Sequence, residues 1–398
     1  MQEDVIISEL TDKKILIWGY GREGKSSERF LQKHCPSSEL KIYEGTYDER
    51  LFAQYDLIIK SPGIPYLSRF RGLTSQTELF TRRFRDRIIG ITGTKGKSTT
   101  SSMLYHVLEK CGRKALLVGN IGSPCLDYYD TVDSDTVIVY EMSCHQLSTV
   151  DVSPHAAILL NLFEEHLDYY KTVENYHRAK KNIYRFQNEE DILVTNNDIR
   201  VDTASEIIRC SGDEYTGKLM LLGEHNRYNA SVVWMLMKRL STELDIDMDI
   251  VADGIAEFTG LAHRLQYIGT YGDVKYYDDS ISTINESAIE AVESVPDIAT
   301  ILIGGMDRGI DYQPLTDFLN AYDRPLNVIC AYESGKRIFP ELRSGTVYMA
   351  DDMAESVKLA KQITPAGKAC VLSPAAASYT HFKNFEERGD RFAELVRR

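Results

Sequence analysis

Short apolar runs recur along the chain, several of them closed by glycine, asparagine or an acidic residue. Residues 14–18, 40–43 and 57–60 read as buried strands, with a helical stretch from about 22 to 34 between the first two. Residues 66–86 are basic and read as a loop-rich boundary. Residues 87–112 then give a buried strand, a glycine turn and a helix stopped by Gly112. Strands follow at 136–140 and 156–160. A helical pattern covers 172–187, another helix opens at Gly223 and runs through Trp234, and residues 258–264 read as a hinge. The remainder alternates again, with strands near 274–278, 299–303, 326–331 and 369–372 and helices near 285–295, 351–363 and 383–397. Strand–helix alternation of this kind predicts an α/β protein. Three domains are expected: 1–86, Rossmann-like; 87–261, a P-loop ATPase-like parallel sheet; and 262–398, Rossmann-like.

Composition narrows the class without changing that architecture. A chain of 398 residues with 43% hydrophobic and 26% charged residues is globular and too long for one ordinary core. The formal charge of −13 argues against a nucleic-acid or membrane-surface binder, so anionic ligands would need local basic pockets. Seven scattered cysteines with no C-x-x-C pair fit reduced thiols rather than a zinc ribbon or disulfide framework. No basic segment followed by an apolar stretch marks a secretory signal, and no apolar run approaches the roughly 20 residues of a membrane span. A cytoplasmic monomer is expected.

The chemistry concentrates in Gly93-Thr94-Lys95-Gly96-Lys97-Ser98-Thr99, directly after an apolar strand. Gly93 and Gly96 let the backbone curl so that N–H groups face an anion. Lys97 adds charge for phosphates, and Ser98 or Thr99 offers a hydroxyl to a magnesium ion. Ile91 stands where the first glycine of the longer phosphate-loop pattern belongs. Nucleotide triphosphate binding is expected here.

A second glycine turn, Gly19-Tyr20-Gly21-Arg22-Glu23-Gly24, keeps G-x-G-x-x-G spacing, and Glu44 lies twenty residues beyond Gly24. That geometry suits a dinucleotide or another diphosphate such as a UDP-linked substrate. Ser61-Pro62-Gly63-Ile64-Pro65 forms a rigid turn after the next strand. Glu141 ends one strand, and Asn161 to Asp168, with His166, follow another. A carboxylate and a histidine at neighbouring strand ends could hold a hard cation; an acidic surface turn with a capping histidine gives the same spacing. Lys180 shares a helix face with Tyr176, Ile183 and Tyr184, and lysines seldom point inward without a partner.

In order, G-T-x-G-K-S-T, G-N-I-G, E-x-S-x-x-Q-L, N-x-x-x-x-H-x-D, G-x-H-N-x-x-N, F-x-G-L-x-H-R and L-S-P-A-x-A-S…F-K-N-F-x-x-R-G resemble the Mur ligase family over nearly the whole chain. Within it they resemble the branch that adds glutamate to UDP-MurNAc-L-alanine in peptidoglycan precursor synthesis. The resemblance implies an ATP-dependent acid–amino-acid ligase that works through an acyl phosphate and releases ADP and phosphate. It implies that Lys97 holds the β/γ-phosphates and that Ser98 and Glu141 bind one Mg²⁺. His166 would bind a second Mg²⁺ beside a carbamylated Lys180, with Lys181 the alternative register. Asn226, Asn229, Arg264 and Asp279 match ATP-side positions. Residues 19–24, Glu44, Ser61, Pro62 and Gly63 would hold UDP, and Asn120 would sit on the MurNAc side. Thr283, Arg308, Ser378 and Phe385 match the glutamate pocket, where the fork of Arg308 suits a carboxylate.

Two positions depart from the family pattern. The usual D-S-K-A-T-N motif reads Asp279-Ser280-Ile281-Ser282-Thr283-Ile284, so its lysine is gone, and Arg308 stands where many relatives carry lysine. D-glutamate is the expected substrate, with an L-glutamate-adding variant as the alternative. A dinucleotide-dependent oxidoreductase is the reading from another class, and the phosphate loop weighs against it.

Overall fold

A computed structural model describes residues 4–66, 68–121, 123–221, 223–343 and 345–398. Gly122 of the Gly-Asn-Ile-Gly turn lies outside them. Sixteen described strands form three sheets. The first sheet holds β1 (Lys14–Trp18), β2 (Glu39–Tyr43), β3 (Leu57–Lys60) and β4 (Leu73–Thr74), all parallel in the order β2-β1-β3-β4. The second holds β5 (Ile88–Thr92), β6 (Ala115–Gly119), β7 (Val137–Glu141), β8 (Ala156–Leu159), β9 (Ile192–Asn196) and β10 (Glu206–Cys210). Its order, β10-β9-β8-β5-β7-β6, is parallel throughout. The third holds β11 (Gln266–Tyr271), β12 (Val274–Asp278), β13 (Ile298–Ile303), β14 (Asn327–Ala331), β15 (Thr346–Ala350) and β16 (Ala369–Leu372). Its order is β11-β12-β16-β13-β14-β15, and only β11 runs antiparallel.

Residues 1–219 with 224–258 form one compact unit, which contains the first two sheets. Residues 220–223 with 259–398 form the other. The chain passes from the first unit to the second at Phe258 and Thr259, and Gly260 just beyond takes a left-handed φ of +97°. No described helix is long and apolar enough to cross a membrane. All seven cysteines are free.

The segment 66–86 is not the loop-rich boundary its basic residues suggest. Gln76–Phe84 is a helix, opened by Ser75, whose side chain accepts from the Glu78 N–H. Leu79, Phe80 and Phe84 are buried in one cluster with Ile15 and Ile17 of β1 and with Ile138 and Tyr140 of β7. Burying Phe80 alone contributes roughly 1.5–3 kcal/mol. The basic residues occupy the outer face, where Arg82 pairs with Glu9 and Arg83 with Asp4. The first and second sheets therefore share a core.

Two other helices differ in length from the sequence expectation. The helix expected over 172–187 covers only Val173–Lys181. The chain turns there because Gln187 donates to the carbonyls of Pro154 and Ile192, and Ser153 Oγ donates to the Asn182 carbonyl. The helix expected through Trp234 runs on, as Glu224–Leu240.

Parallel order decides where ligands can sit. In the second sheet β5 lies between β7 and β8, so the loops leaving all three strands emerge side by side. In the third sheet β12, β16 and β13 are neighbours, and their following loops are equally adjacent.

Candidate active site

A cavity of about 430 Å³ opens at the ends of β1, β2 and β3, against the loops that follow β6 and β7. Gly19, Gly21, Arg22, Glu44, Ser61, Pro62, Gly63 and Asn120 all line it. Gly24 does not line the cavity but makes it possible: a Cβ there would lie 2.2 Å from the Gly19 carbonyl oxygen. Ser61 Oγ donates to that same carbonyl at 2.7 Å and ties the second turn to the first. Helix Arg22–His34 starts at Gly21 with no side-chain cap, leaving its N-terminal end suited to an anion. Tyr169, from the second sheet's half of the unit, donates to the Ile64 carbonyl at 2.6 Å and fixes the turn.

Beyond β5 the phosphate loop wraps around its own lysine. Lys97 Nζ donates to the carbonyls of Gly93 and Thr94, both at 2.9 Å, and Lys180 Nζ donates to Gly93 at 2.7 Å. Only Gly96 of the two glycines needs a left-handed backbone, with φ +84°. Gly93 is needed for space, since a Cβ would come 2.8 Å from Leu160 Cβ. Asn161 clamps the loop by accepting from Lys95 N–H at 2.8 Å and donating to the Lys95 carbonyl at 3.0 Å. On the other side a Cβ at Gly96 would lie 2.8 Å from Asn229 Oδ1, so Asn229 packs directly against the loop, with Asn226 beside it. Lys97 is held below the usual lysine range, first by burial.

Lys180 is 1% exposed, whereas Lys181 is half-buried. Burial, then the charge of Lys97, lowers Lys180 to about 8. Its ammonium also lies over the Tyr176 ring, 4.9 Å from the centroid. Glu141 is wholly buried at the end of β7. Its Oε1 accepts from Asn120 Nδ2 at 2.7 Å, while Oε2 has no partner among the described residues. A buried carboxylate oxygen without a donor is costly in isolation and suits a cation. His166 is the N-cap of the short helix Leu167–Tyr170 in a left-handed conformation: its carbonyl accepts from the Tyr169 and Tyr170 N–H groups, while its side chain makes no capping bond and lies 3.7 Å from Glu165. Its ring centroid lies 5.0 Å from that of His145. Among the described residues no three His, Cys, Asp or Glu side chains converge as a ready-made metal site.

The Mur ligase middle-domain family model matches residues 91–205, the segment holding these groups. The UDP-N-acetylmuramoyl-L-alanine–L-glutamate ligase of Salinispora tropica is 32% identical over 98% of this chain and 99% of its own. The chain belongs to the Mur ligase family. The UDP-N-acetylmuramoylalanine–D-glutamate ligase of Aquifex aeolicus is 30% identical to this Mur ligase over 96% of the chain and 98% of its own. The MurF ligase of Thermotoga maritima, solved in complex with ADP, shares the fold at 16% identity. Its TM-score is 0.56, covering 98% of this chain and 95% of that one.

The second unit of this Mur ligase gathers three loops at the ends of β12, β16 and β13. Met306 N–H donates to the Ala377 carbonyl and joins two of them. Ser378 is buried, Thr283 and Phe385 are half-buried, and Arg308 and Arg264 are exposed. Ile281, where the family lysine is missing, is half-buried, and its N–H donates to His263. Asp279 is occupied internally: it accepts from Leu265 N–H, Ser282 Oγ and Ser373 Oγ, and burial raises it to about 6. Its ATP-side match thus falls on a carboxylate that braces the loops.

Sequence reasoning passed over Arg388, although it is the arginine of F-K-N-F-x-x-R-G. It is 1% exposed and donates to Ser280 Oγ at 2.9 Å, the Ser280 carbonyl at 2.7 Å and the Ala376 carbonyl at 3.0 Å. One side chain thereby fastens the loops after β12 and β16. Arg388→Met leaves the buried carbonyls of Ser280 and Ala376 without this donor, while Ser280 Oγ keeps its bond to the Phe385 carbonyl. The substitution is expected to cost about 3 kcal/mol or more, read by denaturant unfolding of the full chain.

Proposed function

We propose that this Mur ligase joins glutamate to UDP-N-acetylmuramoyl-L-alanine with consumption of ATP. The observation that carries the reading is one hydrogen bond, Asn120 Nδ2 to Glu141 Oε1 at 2.7 Å. Asn120 lines the first cavity, and Glu141 ends the strand beside the phosphate loop. A nucleotide-linked acceptor held at Gly19, Gly21, Arg22, Glu44 and the Ser61-Pro62-Gly63 turn can extend its tail past Asn120 toward the triphosphate.

In this reading the substrate's terminal carboxylate attacks the γ-phosphorus of ATP, forming an acyl phosphate as ADP leaves. The glutamate amine then attacks the acyl carbon, and phosphate departs from the tetrahedral intermediate. Lys97 turns from its loop carbonyls to the β/γ-phosphates, and the Gly93–Thr99 turn, whose Thr94 and Lys95 N–H groups are held by Asn161, surrounds them. Ser98 and Glu141 would hold one Mg²⁺, and His166 with a carbamylated Lys180 a second. The unpartnered Oε2 of Glu141 and the lowered Lys180 support that fit. Such ions supply charge neutralisation on the phosphoryl oxygens. Asn226, Asn229 and Arg264 serve the nucleotide, and Thr283, Arg308, Ser378 and Phe385 orient the incoming glutamate.

The D enantiomer follows the ligases named for D-glutamate in Aquifex aeolicus and other bacteria. L-glutamate is the second reading, favoured by Ile281 in place of the family lysine and by relatives named for L-glutamate at 32% and 31% identity. An end-point assay with each enantiomer in parallel decides between them through the chirality of the product. Phosphate release is expected only with UDP-N-acetylmuramoyl-L-alanine and one glutamate isomer together. Release that ignores either substrate would overturn the ligase reading.

A further inference from the structure

Besides Arg388, which braces two loops, the ligase mechanism leaves a second buried cation unused. Lys60 ends β3 and is 2% exposed, yet the only hydrogen bond of its ammonium among the described residues is a long one, 3.3 Å from Nζ to the Ser61 carbonyl. No carboxylate of a described residue lies within ion-pair distance of it. Lysines are seldom buried without a partner, because the desolvation of an ammonium is otherwise uncompensated. Burial accordingly lowers it, to about 8, with the charge of Glu23 opposing.

Its place in the fold says what the missing partner is. Lys60 stands in register with Trp18, so the two strands end together and pass into Gly19 and Ser61, the residues that touch across the first cavity. The ammonium reaches the carbonyl of Ser61, a residue that lines the cavity, and its charge acts on Glu23 of the same wall and on His145. The side chains facing that cavity include Glu23 and Glu44 against Arg22, an acidic balance for a site expected to take a diphosphate. Glu23 is held by Gln146 Nε2 at 2.7 Å and stays in the wall. A cation in a poorly solvated position acts on a neighbouring anion more strongly than one in water.

We propose that Lys60 is a positioning cation for the diphosphate of the nucleotide-linked substrate, an inference that rests on the ligase reading. It offsets Glu23 from behind the wall and steadies the Ser61 carbonyl at the turn that faces the ligand. The bound diphosphate then supplies the counter-charge that the free protein lacks.

The test uses the full chain with Lys60→Met and Lys60→Arg. UDP binding is measured by calorimetry, KM values for both nucleotide substrates are measured, and melting is followed in parallel. Lys60→Met is expected to weaken UDP and raise the KM for the UDP-linked substrate, each by about tenfold. The KM for ATP should stay unchanged, and Lys60→Arg should restore most of the affinity. Melting should stay level or rise in Lys60→Met, because an uncompensated buried charge has been removed. Unchanged UDP affinity overturns the proposal. So does a melting loss that accompanies the affinity loss in both variants, which is the mark of a structural lysine. Weakening of the complete substrate without weakening of UDP also overturns it, moving the role to the substrate's carboxylate. A wild-type chain that binds no UDP overturns the ligase reading itself.

Discussion

Lys180→Ala should lose more than about a hundredfold in turnover, with partial return on adding formate or acetate. The expectation comes from an ammonium that is almost wholly buried, donates to the Gly93 carbonyl and shares that acceptor with Lys97. Burial, and then the repulsion between two cations on one carbonyl, lowers Lys180 to about 8. Near pH 7 such an amine is neutral in about a tenth of molecules, against about four in ten thousand for free lysine. Only the neutral amine reacts with carbon dioxide, so the site favours carbamylation. The product replaces a repelled cation with a carboxylate-like group facing the phosphate loop. A small carboxylate can enter the space left by alanine and serve the same purpose. Full activity in the unrescued variant would remove the carbamate from the mechanism. Mass spectrometry of the wild-type chain under bicarbonate, with a gain of one carbon dioxide at Lys180, checks the modification directly.

Lys97→Ala should be equally severe, with a loss of about 10²–10³-fold in turnover. Lys97 starts helix Lys97–Lys110, and its half-buried side chain is folded back on the Gly93 and Thr94 carbonyls. An incoming triphosphate offers that ammonium a stronger acceptor than two neutral carbonyls. Alanine is a good helix former at this position, so the loop and helix should persist while the charge is lost. ATP affinity and phosphate release should fall together, with UDP binding intact. Unchanged activity would mean that the loop holds nucleotide without taking part in the reaction.

Much of this was legible in the residues, for reasons that differ from place to place. The strands β1, β5, β7 and β16 announce themselves because both faces are buried and their apolar runs are uninterrupted. The edge strand β10 does not: Glu206-Ile207-Ile208-Arg209 is mostly exposed, and its alternation is too short to stand out. Helix Gln76–Phe84 was hidden by arginines that lie on its outer face. Phosphate-loop chemistry could be read directly, because glycine, lysine and hydroxyl residues must be contiguous there. Lys60 and Arg388 could not. Each matters through what surrounds it in space, and a lysine after Leu-Ile-Ile or an arginine within a polar helix carries no mark of its burial. The unpartnered oxygen of Glu141 is likewise a property of packing, visible only once Asn120 is seen to occupy the other oxygen.

The helix Gln76–Phe84 also works as a ruler. Because Leu79, Phe80 and Phe84 belong to one core with strands of both the first and second sheets, the nucleotide-linked cavity and the phosphate loop sit on a single solid block. The reach between them is set by the packing of that shared core. An acceptor anchored by its diphosphate must therefore bring its carboxylate to a fixed distance, and a tail one residue shorter or longer misses the γ-phosphate however well its nucleotide end is bound. On the ligase reading, acceptor length would be measured by the joint, and the choice of amino acid would be left to the second unit.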